Sequence, residues 1–186
     1  MGVITNSDDR VPNILSSLGL RVSPLRYHSS ADFAAVAGQQ YDVDLHCMSY
    51  DVGYAKPDRR IFDAAEEMAN QLLLAQGNTH LSKDGGRERK PEAVPWLKLY
   101  VGDEYEKDVV GARRAGWNAV FVGAEEEVPG QEKMPGLRQL GDKSLEEVFP
   151  QGGSPVAIRA ESTQMLLEWL RDQHLRGNRV GAELGD

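Results

Sequence analysis

Apolar residues first gather in a short, β-branched run from Gly2 to Thr5, which reads as a buried strand. Asn6-Ser-Asp-Asp9 then supplies turn and helix-cap chemistry. Val11, Ile14, Leu15 and Leu18 recur at helical spacing, and Gly19 stands where a left-handed helix terminator belongs, so a helix is predicted over 10–18. A second helix over 30–37 and a second strand over 43–48 follow. Ile61, Phe62, Ala65, Met68, Ala69 and Leu72 mark one face of a longer helix opening at Lys56-Pro57-Asp58, where proline suits a first turn. Trp96 to Val101 reads as a third strand ending at Gly102-Asp103. Val109, Val110 and Ala112 lie on a short helix stopped by Gly116, and Ala119 to Val122 is a fourth strand. Beyond a small element at Leu145 to Phe149 and a breaker from Pro150 to Pro155, Met165, Leu166, Trp169 and Leu170 form the apolar stripe of a last helix.

Strands alternating with helices of about ten residues imply right-handed βαβ units and an α/β fold. The expected architecture is a Rossmann-like three-layer α/β/α arrangement around a parallel sheet. Its core would occupy residues 1–150, with a C-terminal helix docked on it over 151–180 and a disordered tail over 181–186. Residues 76–95, rich in Gly, Lys, Arg, Asp and Asn with almost no periodic apolar positions, read as an exposed, disordered insertion. Ligands of such sheets bind beyond the carboxyl ends of the strands, where Thr5, Asn6, Gly102 and Asp103 all fall.

Composition narrows the partners. The 186 residues, 40% hydrophobic and 27% charged, suit one globular domain. With 29 acidic and 21 basic side chains the formal net charge is −8, which opposes nucleic acid and anionic lipid surfaces; neither is an expected partner. No apolar run is long enough to cross a bilayer, and Met1 is not followed by a basic segment and an apolar signal core, so an intracellular, cytoplasmic or nuclear location is expected. The single cysteine, Cys47, fits that compartment and reads as a small core residue.

Three segments carry candidate chemistry. At Val3-Ile-Thr5-Asn6-Ser7-Asp8 a hydroxyl and backbone N–H groups emerge where a strand meets a helix, a geometry that binds anions; plain helix capping by Asn6, Ser7 or Asp8 is the bland alternative. At Gly53-Tyr-Ala-Lys56-Pro57-Asp58 one lysine precedes a helix, from which its ammonium can reach a phosphate or a carboxylate. At Tyr100-Val-Gly102-Asp103 a carboxylate stands at a strand tip, with Asp108 five residues on. Carboxylate oxygens suit a hard cation such as Mg²⁺, although first-turn acids also favour a helix dipole.

In this order the three segments resemble motifs two, three and four of the haloacid dehalogenase (HAD)-like hydrolase superfamily, over about residues 2–122. Thr-Asn-Ser-Asp-Asp-Arg10 and Gly-Tyr-Ala-Lys-Pro-Asp58 look closest to the haloacid dehalogenase-like hydrolase domain-containing protein 3 group. Members are mostly Mg²⁺-dependent phosphatases. The resemblance implies that Thr5 and Asn6 bind the transferring phosphoryl group of a small phosphorylated molecule. Lys56 would steady phosphate and nucleophile charge, and Asp103, with Asp108, would hold Mg²⁺.

The departure from the pattern concerns motif one, an Asp-x-Asp sequence ending an apolar strand well before motif two. Its first aspartate is the nucleophile and its second the general acid and base. Only Met1 precedes Gly2 here, so the expectation is an incomplete core lacking that central strand and the cap, inactive by itself. Asp42-Val-Asp44 has the right spacing but follows motif two and starts a different strand. A non-catalytic binding or regulatory module on the same scaffold is the alternative reading.

Overall fold

The computed structural model describes residues 1–77, 79–80, 92–93, 96–123, 137–141, 143–150 and 152–183. The chain divides into two compact units, Met1–Trp96 and Leu97–Asp186.

The first unit is built on two parallel strands, β1 (Gly2–Thr5) and β2 (Leu45–Met48), with Gly2 opposite Leu45 and Thr5 opposite Met48. Helix α1 (Val11–Ser17) has Pro12 in its first turn and no buried residue; Ile14 and Leu18 of its apolar series stay exposed. Asp32 caps α2 (Phe33–Ala37) by accepting the Ala34 N–H at 2.9 Å. Every residue of β2 is buried, and the short helix α3 (Ser49–Val52) follows it directly. Its end turns on Gly53, whose φ of 76° would strain any side chain. Helix α4 (Arg59–Ala75) begins two residues after Pro57, with Asp58 as its cap. It buries Ile61, Phe62, Ala65, Met68 and Leu72 of the face that the 3.6-residue periodicity predicts, and Ala64 beside them, while Ala69 is half-buried. This face covers both strands, and Cys47 Sγ lies 3.6 Å from the Ile61 carbonyl. Completely burying a side chain such as Phe62 contributes roughly 2–3 kcal/mol.

The expected insertion at 76–95 lies mostly outside the described residues. Its two ends meet as a short antiparallel ladder, β3 (Thr79–His80) against β4 (Glu92–Ala93).

The second unit carries a four-stranded parallel sheet. Its strands are β5 (Leu99–Gly102), β6 (Asn118–Val122), β7 (Leu137–Gln139) and β8 (Ala157–Ala160), in the spatial order β5-β6-β8-β7. Between β5 and β6 the chain forms one π-helical turn, Tyr105–Val110, and then the short α5 (Gly111–Arg114). Ser144 and Glu147 form a reciprocal capping box on α6 (Leu145–Val148). In the last helix, α7 (Thr163–Glu183), Leu166 and Trp169 are buried against Val120, Phe149 and Ile158, and the Trp169 indole donates to the Lys143 carbonyl at 3.0 Å.

The expected α/β class with parallel strands holds. Hydrogen bonding divides the strands into two parallel ladders, one per unit, and β1 and β5 each form an edge of their own sheet. Three elements depart from expectation. Residues 151–180 are not simply a docked helix, because β8 lies within them as an inner strand buried on both faces, which leaves no alternation to read. The apolar stripe of α7 is half used, since Met165 and Leu170 remain exposed. Helix α7 also runs through 181–183, where a tail was expected; 184–186 lie outside the described residues.

Candidate functional site

The site residues anticipated from sequence fall into two groups, one in each unit. In the first, Thr5 ends β1 and Asn6 follows it out of the sheet. The Asn6 carboxamide then reaches fifty positions along the chain: its Nδ2 donates to the Lys56 carbonyl at 3.0 Å, and its Oδ1 accepts the Lys56 N–H at 2.6 Å. Both backbone polar groups of Lys56 are thereby held at the carboxyl edge of β1 by one side chain. The Lys56–Pro57 peptide is cis. Asp58 closes the loop by accepting the Arg60 N–H at 3.0 Å and pairing with the Arg60 guanidinium, which holds the Asp58 carboxyl at about 2. The structure therefore brings Thr5, Asn6 and Lys56 together through a side-chain-to-backbone clamp.

Asp42 and Asp44, the pair with motif-one spacing, stand at the opposite end of this ladder. Asp44 pairs with the amino group of Met1, and Asp42 pairs bidentately with Arg21 at 3.0 and 3.2 Å. Since β1 and β2 run parallel, this is the amino edge, away from Thr5.

In the second unit, Gly102 ends β5 and Asp103 follows, exposed at the strand tip. Asp108 belongs to the π-helical turn and is only 3% exposed. Its Oδ2 accepts the Glu104 N–H at 2.9 Å while its own N–H donates to the Glu104 carbonyl at 2.7 Å. It also accepts a hydrogen bond from Tyr100, whose phenol is pushed far up, first by burial and then by the Asp108 charge. A side chain at Gly102 would collide with this carboxylate: a Cβ there would lie 2.2 Å from Asp108 Oδ2. The two carboxylates that sequence spacing pairs as metal ligands thus have different surroundings. Asp103 is open to solvent, and Asp108 holds the turn that follows β5.

Among the described residues no group of three or more His, Cys, Asp or Glu side chains is placed to hold a metal ion. No described helix is long and apolar enough to cross a membrane.

Sequence reasoning did not anticipate the clamp by Asn6, because a carboxamide that bonds backbone atoms leaves no pattern in its partner. It also passed over Arg26, which makes a bidentate pair with Asp51 of α3; that carboxylate is largely buried and braces the element leading to the Lys56 loop.

Residues 53–137 match the family model described as HAD-hydrolase-like, a stretch that includes Lys56, Asp103 and Asp108. Over 121 residues the chain is 31% identical to a Schizosaccharomyces pombe protein named as an uncharacterized hydrolase, which covers 65% of this chain and 38% of that protein. Over 122 residues it is 27% identical to an uncharacterized protein of Saccharomyces cerevisiae, covering 66% of this chain and 32% of the other. The chain therefore spans well under half the length of these curated relatives. No solved structure matches it. The lysine loop and the Gly-Asp strand tip both fall inside the matched segment, and over that stretch the chain is similar to haloacid dehalogenase-like hydrolases.

Proposed function

We propose that this chain supplies the phosphate-binding and cation-binding residues of a phosphatase-type HAD hydrolase acting on a small phosphorylated molecule inside the cell. The observation that carries the reading is the clamp between Asn6 and Lys56, at 2.6 and 3.0 Å. It holds the Lys56 backbone against Asn6, the residue that follows Thr5 at the carboxyl end of β1. A hydroxyl donor and a cation at one strand end are what a phosphoryl group carrying two negative charges requires.

Lys56 neutralises charge on the phosphoryl oxygens, and Thr5 donates a hydrogen bond to one of them. Asn6 acts chiefly as the positioning residue for Lys56. Asp103, exposed and built of hard oxygen donors, is the carboxylate available to Mg²⁺, and Asp108 holds the turn behind it. Mg²⁺ held by a carboxylate would supply Lewis-acid neutralisation of negative charge. The nucleophile of this chemistry is an aspartate, and the one pair with the required spacing, Asp42 and Asp44, is engaged at the amino edge of its ladder. The 186 residues by themselves are accordingly expected to bind phosphate without hydrolysing its esters.

Phosphorus NMR titration of the 186-residue chain with inorganic phosphate tests the reading. Millimolar-range binding that disappears in Lys56→Ala is the expected result, together with no release of nitrophenol from p-nitrophenyl phosphate in the presence of Mg²⁺. Phosphate binding that is indifferent to Lys56→Ala refutes the assignment of the site. Turnover that Lys56→Ala abolishes refutes the account of the nucleophile.

A further inference from the structure

Next to the clamp lies an open cleft of about 530 Å³, whose floor includes Asn6 and Ser7 and whose walls carry Arg10, Tyr50, Gly53 and Tyr54. All of these residues belong to the first unit. Two hydrogen bonds tie its two segments together: the Tyr50 N–H donates to the Ser7 carbonyl at 3.3 Å, and the Ser49 hydroxyl donates to the same oxygen at 3.3 Å. Gly53, with φ of 76°, then turns the chain so that Tyr54 follows on the same rim.

Two features of the lining define what it would take. Its large rings are exposed, Tyr50 at 67% and Tyr54 at 40%, although apolar ring area left in water is unfavourable. Its charges, by contrast, are already matched. Arg10 chelates Asp8 at 2.9 and 3.1 Å, and Arg60, which lies 3.3 Å over the Tyr54 ring, is paired with Asp58. Arg26, 6.0 Å from the Tyr50 ring, is likewise paired with Asp51. A ligand group entering here meets ring surface and neutralised ion pairs, so a second phosphate or carboxylate gains little, whereas a flat uncharged ring gains stacking area.

Resting on the phosphate reading above, we infer that this cleft is the leaving-group subsite and that it selects phosphate monoesters whose alcohol carries a planar aromatic ring. The ester oxygen would point from the Thr5–Lys56 end into the cleft past Asn6, and the ring would stack on Tyr50 or Tyr54. Aromatic stacking of ordinary strength corresponds to about a fivefold gain in affinity over a non-aromatic ester.

The test is a set of titrations of the 186-residue chain with inorganic phosphate, glycerol 1-phosphate and phenyl phosphate, followed by NMR. Phenyl phosphate is expected to bind about fivefold more tightly than glycerol 1-phosphate. That ratio should fall to near one in Tyr50→Ala or Tyr54→Ala and persist in Tyr54→Phe. If inorganic phosphate binds through Lys56 but the two esters bind alike, the subsite is refuted while the phosphate reading stands. A preference that survives both alanine variants refutes it too. If inorganic phosphate does not bind at all, the phosphate reading fails and the subsite falls with it.

Discussion

Replacing Gly102 by alanine tests the architecture of the strand tip that carries Asp103. A methyl group there would lie 2.2 Å from Asp108 Oδ2, 2.4 Å from its Cγ and 2.6 Å from its Cβ. All three distances fall well below van der Waals contact, and all three atoms belong to one side chain, so Asp108 must move as a whole. It has little freedom to do so, because it is buried and Oδ2 holds the Glu104 N–H at 2.9 Å. Overpacking of a well-filled site costs about 1–3 kcal/mol. Losing a hydrogen bond to a charged acceptor adds about 1.5–3 kcal/mol. Together these give a destabilisation of about 3–5 kcal/mol, a large part of the stability of an ordinary domain.

Urea unfolding followed by circular dichroism reads this directly, as a fall in transition midpoint of roughly 2 M for a protein of this size. The cause can be isolated by a double-mutant cycle. Asp108→Ala alone leaves the Glu104 N–H unmet and costs about 1–3 kcal/mol, but it also removes the carboxyl group that the methyl group strikes first and leaves only the Cβ, at 2.6 Å. In that background Gly102→Ala should cost about 1–2 kcal/mol, giving a coupling of about 2–3 kcal/mol. Additive costs, or a single variant within about 0.5 kcal/mol of the wild type, would show that the carboxylate does not confine Gly102.

Three further outcomes are expected. Burial, and after it the Asp51 charge, pushes the Cys47 thiol from 9.0 up to about 12, so the folded protein should resist thiol reagents at pH 8 and react at once in urea. Because the folded state keeps this proton where the unfolded chain releases it, stability due to Cys47 is complete below about pH 9 and is lost as pH rises towards 12. His46 is buried with no hydrogen-bond partner on Nδ1 among the described residues, and its pKa is held below 6.5 by burial first, then by Arg26, against a smaller opposing pull from Asp51. Its contribution is therefore present above about pH 6.5 and lost as pH falls; urea midpoints at pH 7.5 and 5.5 should differ less in His46→Leu than in the wild type. Asn6→Ala removes both bonds to the Lys56 backbone, so amide exchange at Lys56 should accelerate at least tenfold while exchange in α4 changes little; an unchanged Lys56 amide would refute the clamp.

Periodicity made most of the scaffold legible. The face of α4 and the strands at Thr5, Met48 and Val122 are long enough, or apolar enough, for the pattern to dominate. The pattern failed where an element is short and its burial comes from neighbours distant in sequence. The three-residue β7 and the four-residue β8 become strands through their neighbours, β7 along β8 and β8 between β6 and β7, and α3 is a single turn between a strand and Gly53.

The candidate site divides along the same line. Residue types that carry charge to a strand end, Lys56 and Asp103, were readable from their own positions. What each one's neighbours do was not, since that depends on contacts rather than spacing. Asn6 looked like a ligand group because it follows Thr5, yet its carboxamide is committed to the Lys56 backbone. Asp108 looked like a second metal ligand because it lies five residues after Asp103. In the structure it is buried in the π-helical turn and accepts the Glu104 N–H. In both cases a polar side chain holds the backbone beside a candidate residue, Asn6 that of Lys56 and Asp108 that of Glu104, next to Asp103. This supporting layer makes the difference, within each unit, between a charged residue that is merely present and one whose backbone is fixed.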